Sequence, residues 1–586
     1  MLKNKYFLPL LLFSTSLILA IIVWSMNKGF NLSDEGFYIT GYNKLIEFPF
    51  WISGFHFLTI KTLSKIGSGL IFFRMARLIL TIIGSLFLSF SLFALLKKFN
   101  YIKKENEKSI VISLSLFGLI GSFVGYGLGP QTLSYNHYTL IFGNIFLGFL
   151  FLAFTNAHNL RKNMFISAGL GIICGLEFFV KIPTTILLSF LFLCVQLILF
   201  KHLREFLFVN IFLFALFAAL TFILISFPAS PLTVFNEYYH VISNISKSYS
   251  HDIFSVLKNY KIGWFDFWDY HLINYFPYLF YLLIASFISF QNKFKAIKPI
   301  GKLLLPIILL IMVFSFYHKG YFWSGSNHNS TAPLIYIVLI FLFSTLFFFN
   351  FKNSRTKFLS EFFSEKIFVA LSLLSFPVIC ALGTGNYLQV QILFFLNTWF
   401  LFIYLVYTFA GNEKSQFNLS ISILLITIIV KSIFDVFSGL IIDPYKIKGH
   451  LWEQTEALKI KSTNETIYIN KELMSTIDTL QHLMESQNQD ALFTSSELIG
   501  LSYIFNKKII GYGWYDSGIS PNSFFYQSYN QSTLKEKNKI CFLLLSAENN
   551  YKIFDYLSDK KTNTKLATLP FNYLANDSIY VYSRHN

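Results

Sequence analysis

Two adjacent acids, Asp34 and Glu35, stand in the run Asn31-Leu32-Ser33-Asp34-Glu35-Gly36-Phe37-Tyr38, directly after the first long apolar stretch of the chain. Carboxylates so close repel each other, so at least one must carry a raised pKa or hold a cationic partner. Such a pair suits proton abstraction from an attacking hydroxyl or amine. It equally suits an ordinary helix start, with Ser33 as N-cap and two acids in the first turn. Arg74 and Arg77, in Phe72-Phe73-Arg74-Met75-Ala76-Arg77-Leu78, are three apart and share a helix face. One arginine at the end of an apolar run snorkels readily to the interface. Two on one face suit an anionic group, because guanidinium forks match phosphate and carboxylate oxygens. Lys181 follows Glu177 by four residues at the junction of two apolar runs, with Pro183 opening the second. That spacing allows a self-neutralising ion pair, yet ionisable groups at such a depth are expected to serve function.

Weaker candidates surround these. Tyr135, Asn136 and His137 lie in a short polar connection, 127–138, and suit either sugar hydroxyls or lipid headgroups and water. His318, Lys319 and His328 fall between two later apolar runs, where single histidines are more often interfacial than catalytic; His328 is kept as a possible sugar or acceptor contact. Glu237, His240, Asp252, Asp266 and Asp269 are too scattered to form a ligand set, so no metal or other cofactor is expected to be required, a divalent cation remaining the option. Lys431 and Asp435 read as a structural i, i+4 pair. The four cysteines form neither a disulfide framework nor a CxxC signature.

The frame that must position these groups is a membrane one. The chain has 586 residues, 54% hydrophobic, 19% aromatic and 13% charged, against about 25% charged in a soluble domain. That excludes a soluble globular enzyme and a disordered scaffold. Thirteen apolar runs are long enough for a hydrocarbon core of about 30 Å: 6–26, 69–96, 110–126, 139–155, 164–180, 183–200, 206–227, 276–291, 303–317, 333–350, 367–385, 390–410 and 417–440. The first follows Lys3 and Lys5 and lacks a small-x-small cleavage site, so it is expected to stay as a span. The expected fold is a polytopic α-helical membrane domain of about 13 transmembrane helices, residues 1–440, followed by a soluble α/β domain, residues 441–586. In that tail, β-rich runs at 466–470, 491–494, 540–545 and 578–582 alternate with helical patterns at 472–486 and 549–557.

The net charge of +17 is a topology signal and not a nucleic-acid one. Residues 441–586 hold 15 basic and 15 acidic side chains, so the whole excess lies before them. With the N-terminus cytoplasmic, alternate connections collect 20 basic residues against 6 acidic, the bias expected of cytoplasmic loops. The tail then stands outside, together with two long outer loops, 27–68 and 228–275. The second is rich in aromatics (Tyr238, Tyr239, Trp264, Phe265, Trp268) and is expected to run along the membrane surface.

An Asp-Glu pair just beyond the first membrane helix, followed by an aromatic and a long outer loop, resembles the GT-C superfamily of integral membrane glycosyltransferases, the class of protein O-mannosyltransferases, aminoarabinose transferases and oligosaccharyltransferases. The resemblance spans the membrane array and implies a sugar donor carried on a polyprenyl phosphate. It implies catalysis by Asp34 and Glu35, with Lys181, Arg74 and Arg77 binding the donor phosphate. A lysine followed closely by proline at a helical hairpin, as at Lys181 and Pro183, is similar to the aminoarabinose-transferase subgroup. The implied setting is the outer face of a bacterial inner membrane, with a lipid, glycan or protein acceptor and membrane lipids as partners. A flippase for lipid-linked sugars and a polysaccharide polymerase are the rival readings.

Overall fold

Apolar runs of about twenty residues leave the backbone in a membrane no partner but itself, so they wind into helices. The computed structural model describes residues 7–46, 54–102, 104–200, 202–236, 253–266, 273–290, 298–318, 365–384, 386–410, 415–487, 489–510, 540–545, 563–571 and 577–584, with 239, 335 and 339. Its helices are α1 (Phe7–Ser25), α2 (Asp34–Tyr42), α3 (Gly54–Lys61), α4 (Leu70–Lys98), α5 (Glu107–Phe123), α6 (Tyr135–Thr155), α7 (Leu160–Phe178), α8 (Ile182–Phe200) and α9 (Arg204–Ser226). They continue as α10 (Ile253–Asp266), α11 (Ile273–Phe290), α12 (Lys298–His318), α13 (Glu365–Ala381), α14 (Leu388–Ile392), α15 (Asn397–Ala410) and α16 (Ser415–Phe437), which runs into a π-helical turn, Ser438–Ile442.

Helices overlie twelve of the thirteen apolar runs; the run 333–350 lies outside the described residues apart from Ile335 and Leu339. Seven among the described residues are long and apolar enough to cross a membrane: Phe7–Ser25, Leu70–Lys98, Lys104–Gly127, Tyr135–Thr155, Ile182–Phe200, Arg204–Ser226 and Ser422–Ile442. Seven of the thirteen expected crossings thus meet the length and composition criterion. α4 packs on α5 and α6, α7 on α9, and α1 and α16 close against α5. Polar side chains inside the bundle pair across helices: Asn397 donates to Asn144 at 2.6 Å, Asn210 to Gln196 at 3.0 Å, and Ser85 meets Ser122. Lys431 and Asp435 form their i, i+4 ion pair.

The last quarter forms two sheets. β1 (Glu456–Ile460) and β2 (Glu465–Ile469) make an antiparallel hairpin. β3 (Ala491–Thr494), β4 (Lys508–Ile509), β5 (Ile540–Leu545), β6 (Asn563–Phe571) and β7 (Asp577–Arg584) form a mixed sheet in the order β4-β3-β5-β7-β6, parallel from β4 to β5 and antiparallel beyond. α17 (Lys471–Ser486) packs Leu473, Ile477, Leu480 and Met484, spaced on one helical face, into the core between them. The predicted helix at 549–557 lies outside the described residues.

The loop after α1 extends both sheets. Lys28 bridges Tyr468 of β2, and Ile46 bridges Ile509 of β4, covering an edge strand that would otherwise be open. Phe30, Leu32, Ile39 and Tyr42 from this loop share one hydrophobic core with Ile467, Leu498 and Tyr503 from the tail. α2 lies against a short helix, α18 (Gly500–Phe505), so closely that a Cβ on Gly36 would stand 2.5 Å from the Gly500 Cα. Only glycine permits that approach, and Gly500 N–H donates to Leu32 O at 2.7 Å across the contact. The first loop and the tail are therefore one packed unit seated on one end of the helix bundle.

Candidate functional site

α2 begins at Asp34, with Ser33 at the N-cap position. The Ser33 hydroxyl does not cap; it donates to Asn31 Oδ1 at 2.9 Å, which also accepts Ser33 N–H at 2.8 Å. Rotated by one residue along the helix, the two acids face different surroundings. Glu35 is 1% exposed and binds Arg74 through both oxygens, from Nε at 2.9 Å and Nη2 at 2.6 Å. Arg74 spends its remaining donors on the carbonyls of Met26 and Lys28 (Nη1, 2.9 and 3.1 Å) and Gly29 (Nη2, 2.8 Å). It ties the loop after α1 to α4.

Arg77, one turn further, points elsewhere. It donates to Pro130 O at 2.9 Å, Gln131 O at 3.2 Å and Gly125 O at 3.0 Å, with its guanidinium 3.7 Å from the centre of the Tyr126 ring. Both arginines are buried, and six backbone carbonyls with one carboxylate accept from them, while Arg77 Nε has no acceptor among the described residues; the anionic partner expected of the pair is, at Arg74, the Glu35 carboxylate. Although their i, i+3 spacing sets both on one face of α4, the two side chains diverge to separate loops.

The start of α4, which carries both arginines, is capped from the tail. Glu465 of β2 accepts Leu70 N–H at 2.6 Å and Ile71 N–H at 3.0 Å, and Tyr503 donates to the same carboxylate. A carboxylate at a helix N-terminus satisfies orphan N–H groups and complements the helix dipole. Gly69 leaves room for it: a Cβ there would lie 2.6 Å from Glu465 Oε2.

Asp34 keeps more freedom than Glu35, its side chain being 14% exposed. Tyr445, just past the π-helical turn, donates to Asp34 Oδ2 at 2.6 Å, and Lys446 Nζ stands 3.8 Å from Oδ1. Burial raises the Asp34 pKa above the usual carboxylate value, while Lys446 and the Tyr445 hydrogen bond pull it back. The phenol of Tyr38 is pushed well up by burial and by the neighbouring Tyr135, Asp34, Tyr42 and Tyr445. Tyr38, Tyr135 and Tyr445 thus gather around one carboxylate. Beside Asn31, Glu35, Gln131, Gly439 and Tyr445 a narrow cleft opens.

Tyr135 leads from Asp34 to Lys181. The Lys181 ammonium lies 5.4 Å from the Tyr135 ring and 5.5 Å from that of Phe395, and donates to Asn136 Oδ1 at 3.2 Å and Cys380 O at 2.8 Å. Two of its three N–H groups are spent, and among the described residues the third has no protein acceptor. Glu177 takes Thr139 Oγ1 at 2.7 Å instead of pairing directly with Lys181. Of the expected sugar contacts, Tyr135 and Asn136 reach this corner through Lys181. His137 does not: its Nδ1 accepts Ser134 N–H at 3.0 Å in a capping box at the start of α6. His328 lies outside the described residues, and among those residues no three His, Cys, Asp or Glu gather as a metal site.

The residues missed in the sequence are Tyr445, Lys446 and Glu465. Tyr445 and Lys446 had one available signal, their place in Asp443-Pro444-Tyr445-Lys446 directly after the last apolar run. Glu465 had none, because its partner is 395 residues away.

No protein family and no curated protein matches the chain. Among solved structures, it is similar to the crystal structure of ArnT from Cupriavidus metallidurans bound to undecaprenyl phosphate, with 11% identity over 97% of each chain and a TM-score of 0.42. It is also similar to the archaeal oligosaccharyltransferase AglB from Archaeoglobus fulgidus in complex with an inhibitory peptide and a dolichol-phosphate, with 11% identity over 100% of this chain and 75% of that one, TM-score 0.41.

Proposed function

We propose that the chain is a membrane glycosyltransferase of GT-C type that moves a sugar from a polyprenyl-phosphate donor to a lipid, glycan or protein acceptor. The observation that carries this reading is the pairing of Asp34, a partly exposed carboxylate among tyrosines, with Lys181, a buried ammonium reached across Tyr135. One group suits the acceptor and the other the leaving phosphate. In the proposed step Asp34 takes the proton of an acceptor hydroxyl or amine as that atom bonds to the anomeric carbon. The bond from that carbon to the phosphate oxygen breaks with its electron pair leaving on the phosphate, and Lys181 stabilises that charge. Attack from the face opposite the phosphate inverts the anomeric centre.

Glu35, Arg74 and Arg77 serve in this reading as the lock that holds the Asp34 loop at the membrane surface. The membrane orientation supported by the basic residues puts the N-terminus in the cytoplasm and the tail in the periplasm or outside the cell, so that the reaction takes place at the outer face of the inner membrane. The step draws on no metal ligand, and transfer is expected to survive EDTA.

The test is reconstitution of the purified protein with undecaprenyl-phosphate sugars and a panel of lipid A, glycan and peptide acceptors. Wild type is expected to transfer sugar, with Asp34→Asn and Lys181→Ala reduced by about 10²- to 10⁴-fold. Undiminished transfer by Asp34→Asn removes the base assignment, and movement of lipid-linked sugar across the bilayer without transfer replaces the enzyme by a flippase.

A further inference from the structure

Residues 443–449 leave the last membrane helix and pass directly over Asp34. Lys446 in this segment has a left-handed backbone, φ +50°, a conformation an L-residue adopts at a cost and keeps where its surroundings hold it. Three groups hold its ammonium: Ser33 Oγ at 3.1 Å, the two oxygens of Glu497 at 3.1 and 3.3 Å, and Asp34 Oδ1 at 3.8 Å. Glu497 belongs to the tail, in the turn that leads into α18, whose Gly500 abuts Gly36. One ammonium therefore stands between a carboxylate of the candidate site and a carboxylate of the sheet domain.

From this placement we infer that Lys446 is a positioning residue that sets the protonation of Asp34, dividing its charge between Asp34 and Glu497 so that the seating of the tail adjusts the acid. The inference rests on Asp34 being the group that accepts the acceptor's proton. The groups facing Asp34 are Tyr38 on its own helix, Tyr135 at the start of α6, Tyr445 and Lys446 on the crossing segment, and Glu497 from the tail. Lys446 is the cation among them. An opposite charge within about 4–6 Å stabilises a carboxylate, and a second carboxylate nearby does the reverse. Lys446 and Glu497 thus act on Asp34 with opposite signs: burial raises its pKa most, Lys446 lowers it, and Glu497 raises it. The tail takes part in this balance through Glu497. It supplies the counter-charge that decides how much of Lys446 the acid receives.

The experiment reads the proton on Asp34 and not sugar transfer. The full-length protein in lipid nanodiscs is treated with dicyclohexylcarbodiimide, which attacks protonated carboxyls, across a pH series. Modification at position 34 is followed by peptide mass spectrometry, with Asp34→Asn as the blank. Lys446→Met is expected to move the labelling midpoint up by about one pH unit or more, Lys446→Arg to leave it within a few tenths, and Glu497→Gln to move it down. An unchanged midpoint in a Lys446→Met protein with wild-type thermal unfolding overturns the inference. If Lys446→Met does not fold, Glu497→Gln decides: a midpoint that stays or rises overturns it equally. The shifts seen in a protein that transfers no sugar would keep the charge coupling and remove the enzymatic reading, so the two fail separately.

Discussion

Within one turn of α2 the chain builds two different settings for a carboxylate. Glu35 is sealed against Arg74 with both oxygens engaged, and Arg74 is itself saturated by three carbonyls. Asp34 is held through one oxygen by a neutral phenol, with a lysine 3.8 Å from the other. The first arrangement is a clamp, since every strong donor and acceptor is consumed by protein. The second leaves capacity for a ligand, and the same contrast separates Arg74 from Lys181. Cations near a membrane surface are therefore told apart by how many of their donors the protein has already used.

The comparison breaks most sharply through charge removal. Glu35→Gln leaves Arg74 buried without its carboxylate and is expected to cost about 3–5 kcal/mol, read as a large drop in thermal unfolding temperature in detergent. Glu35→Gln with Arg74→Met is expected to recover part of that loss, because no uncompensated charge remains. Asp34→Asn should behave oppositely, reducing transfer by about 10²- to 10⁴-fold while leaving the unfolding temperature equal or higher. The sign follows from its raised pKa: the folded protein favours the protonated acid, so this contribution to stability is complete below the unfolded value of 3.8 and is lost as pH rises through the folded one. Above the folded value the ionised Asp34 costs stability that asparagine does not. An Asp34→Asn protein as unstable as Glu35→Gln would erase the distinction.

Smaller effects test the support behind the site. Gly36→Ala pushes a methyl into Gly500 and is expected to cost about 1–3 kcal/mol, visible as earlier proteolysis of the tail. Glu465→Gln keeps shape and removes the charge at the start of α4; about 1 kcal/mol is expected, seen as a shift of a few degrees or less in the same melt.

Much of the architecture was readable from local pattern. The strands Ala491–Thr494 and Ile540–Leu545 coincide with apolar runs of the sequence residue for residue, and α17 begins one residue before the pattern at 472–486. Such elements are decided by the hydrophobicity of neighbours a few positions away, which a linear reading sees. The site was readable only in part. The acid pair Asp34-Glu35 and Lys181 stood out as charges at the ends of apolar runs. That Arg74 would be used up by Glu35, and that His137 would cap α6 and not face the pocket, depended on which acceptors came within about 3 Å after folding.

Alone, the amino-acid sequence determined the helical membrane frame, the mixed α/β tail and the acids and cations at the ends of the apolar runs, because length, periodicity and charge are properties of short stretches of chain. Only the tertiary structure decided which of two adjacent acids is a clamp and which is available. That choice rests on Arg74, Tyr445 and Lys446, which reach Asp34 and Glu35 from 39, 411 and 412 residues away. A hydrogen bond's partner is chosen by distance and direction in space, and separation along the chain carries no information about either.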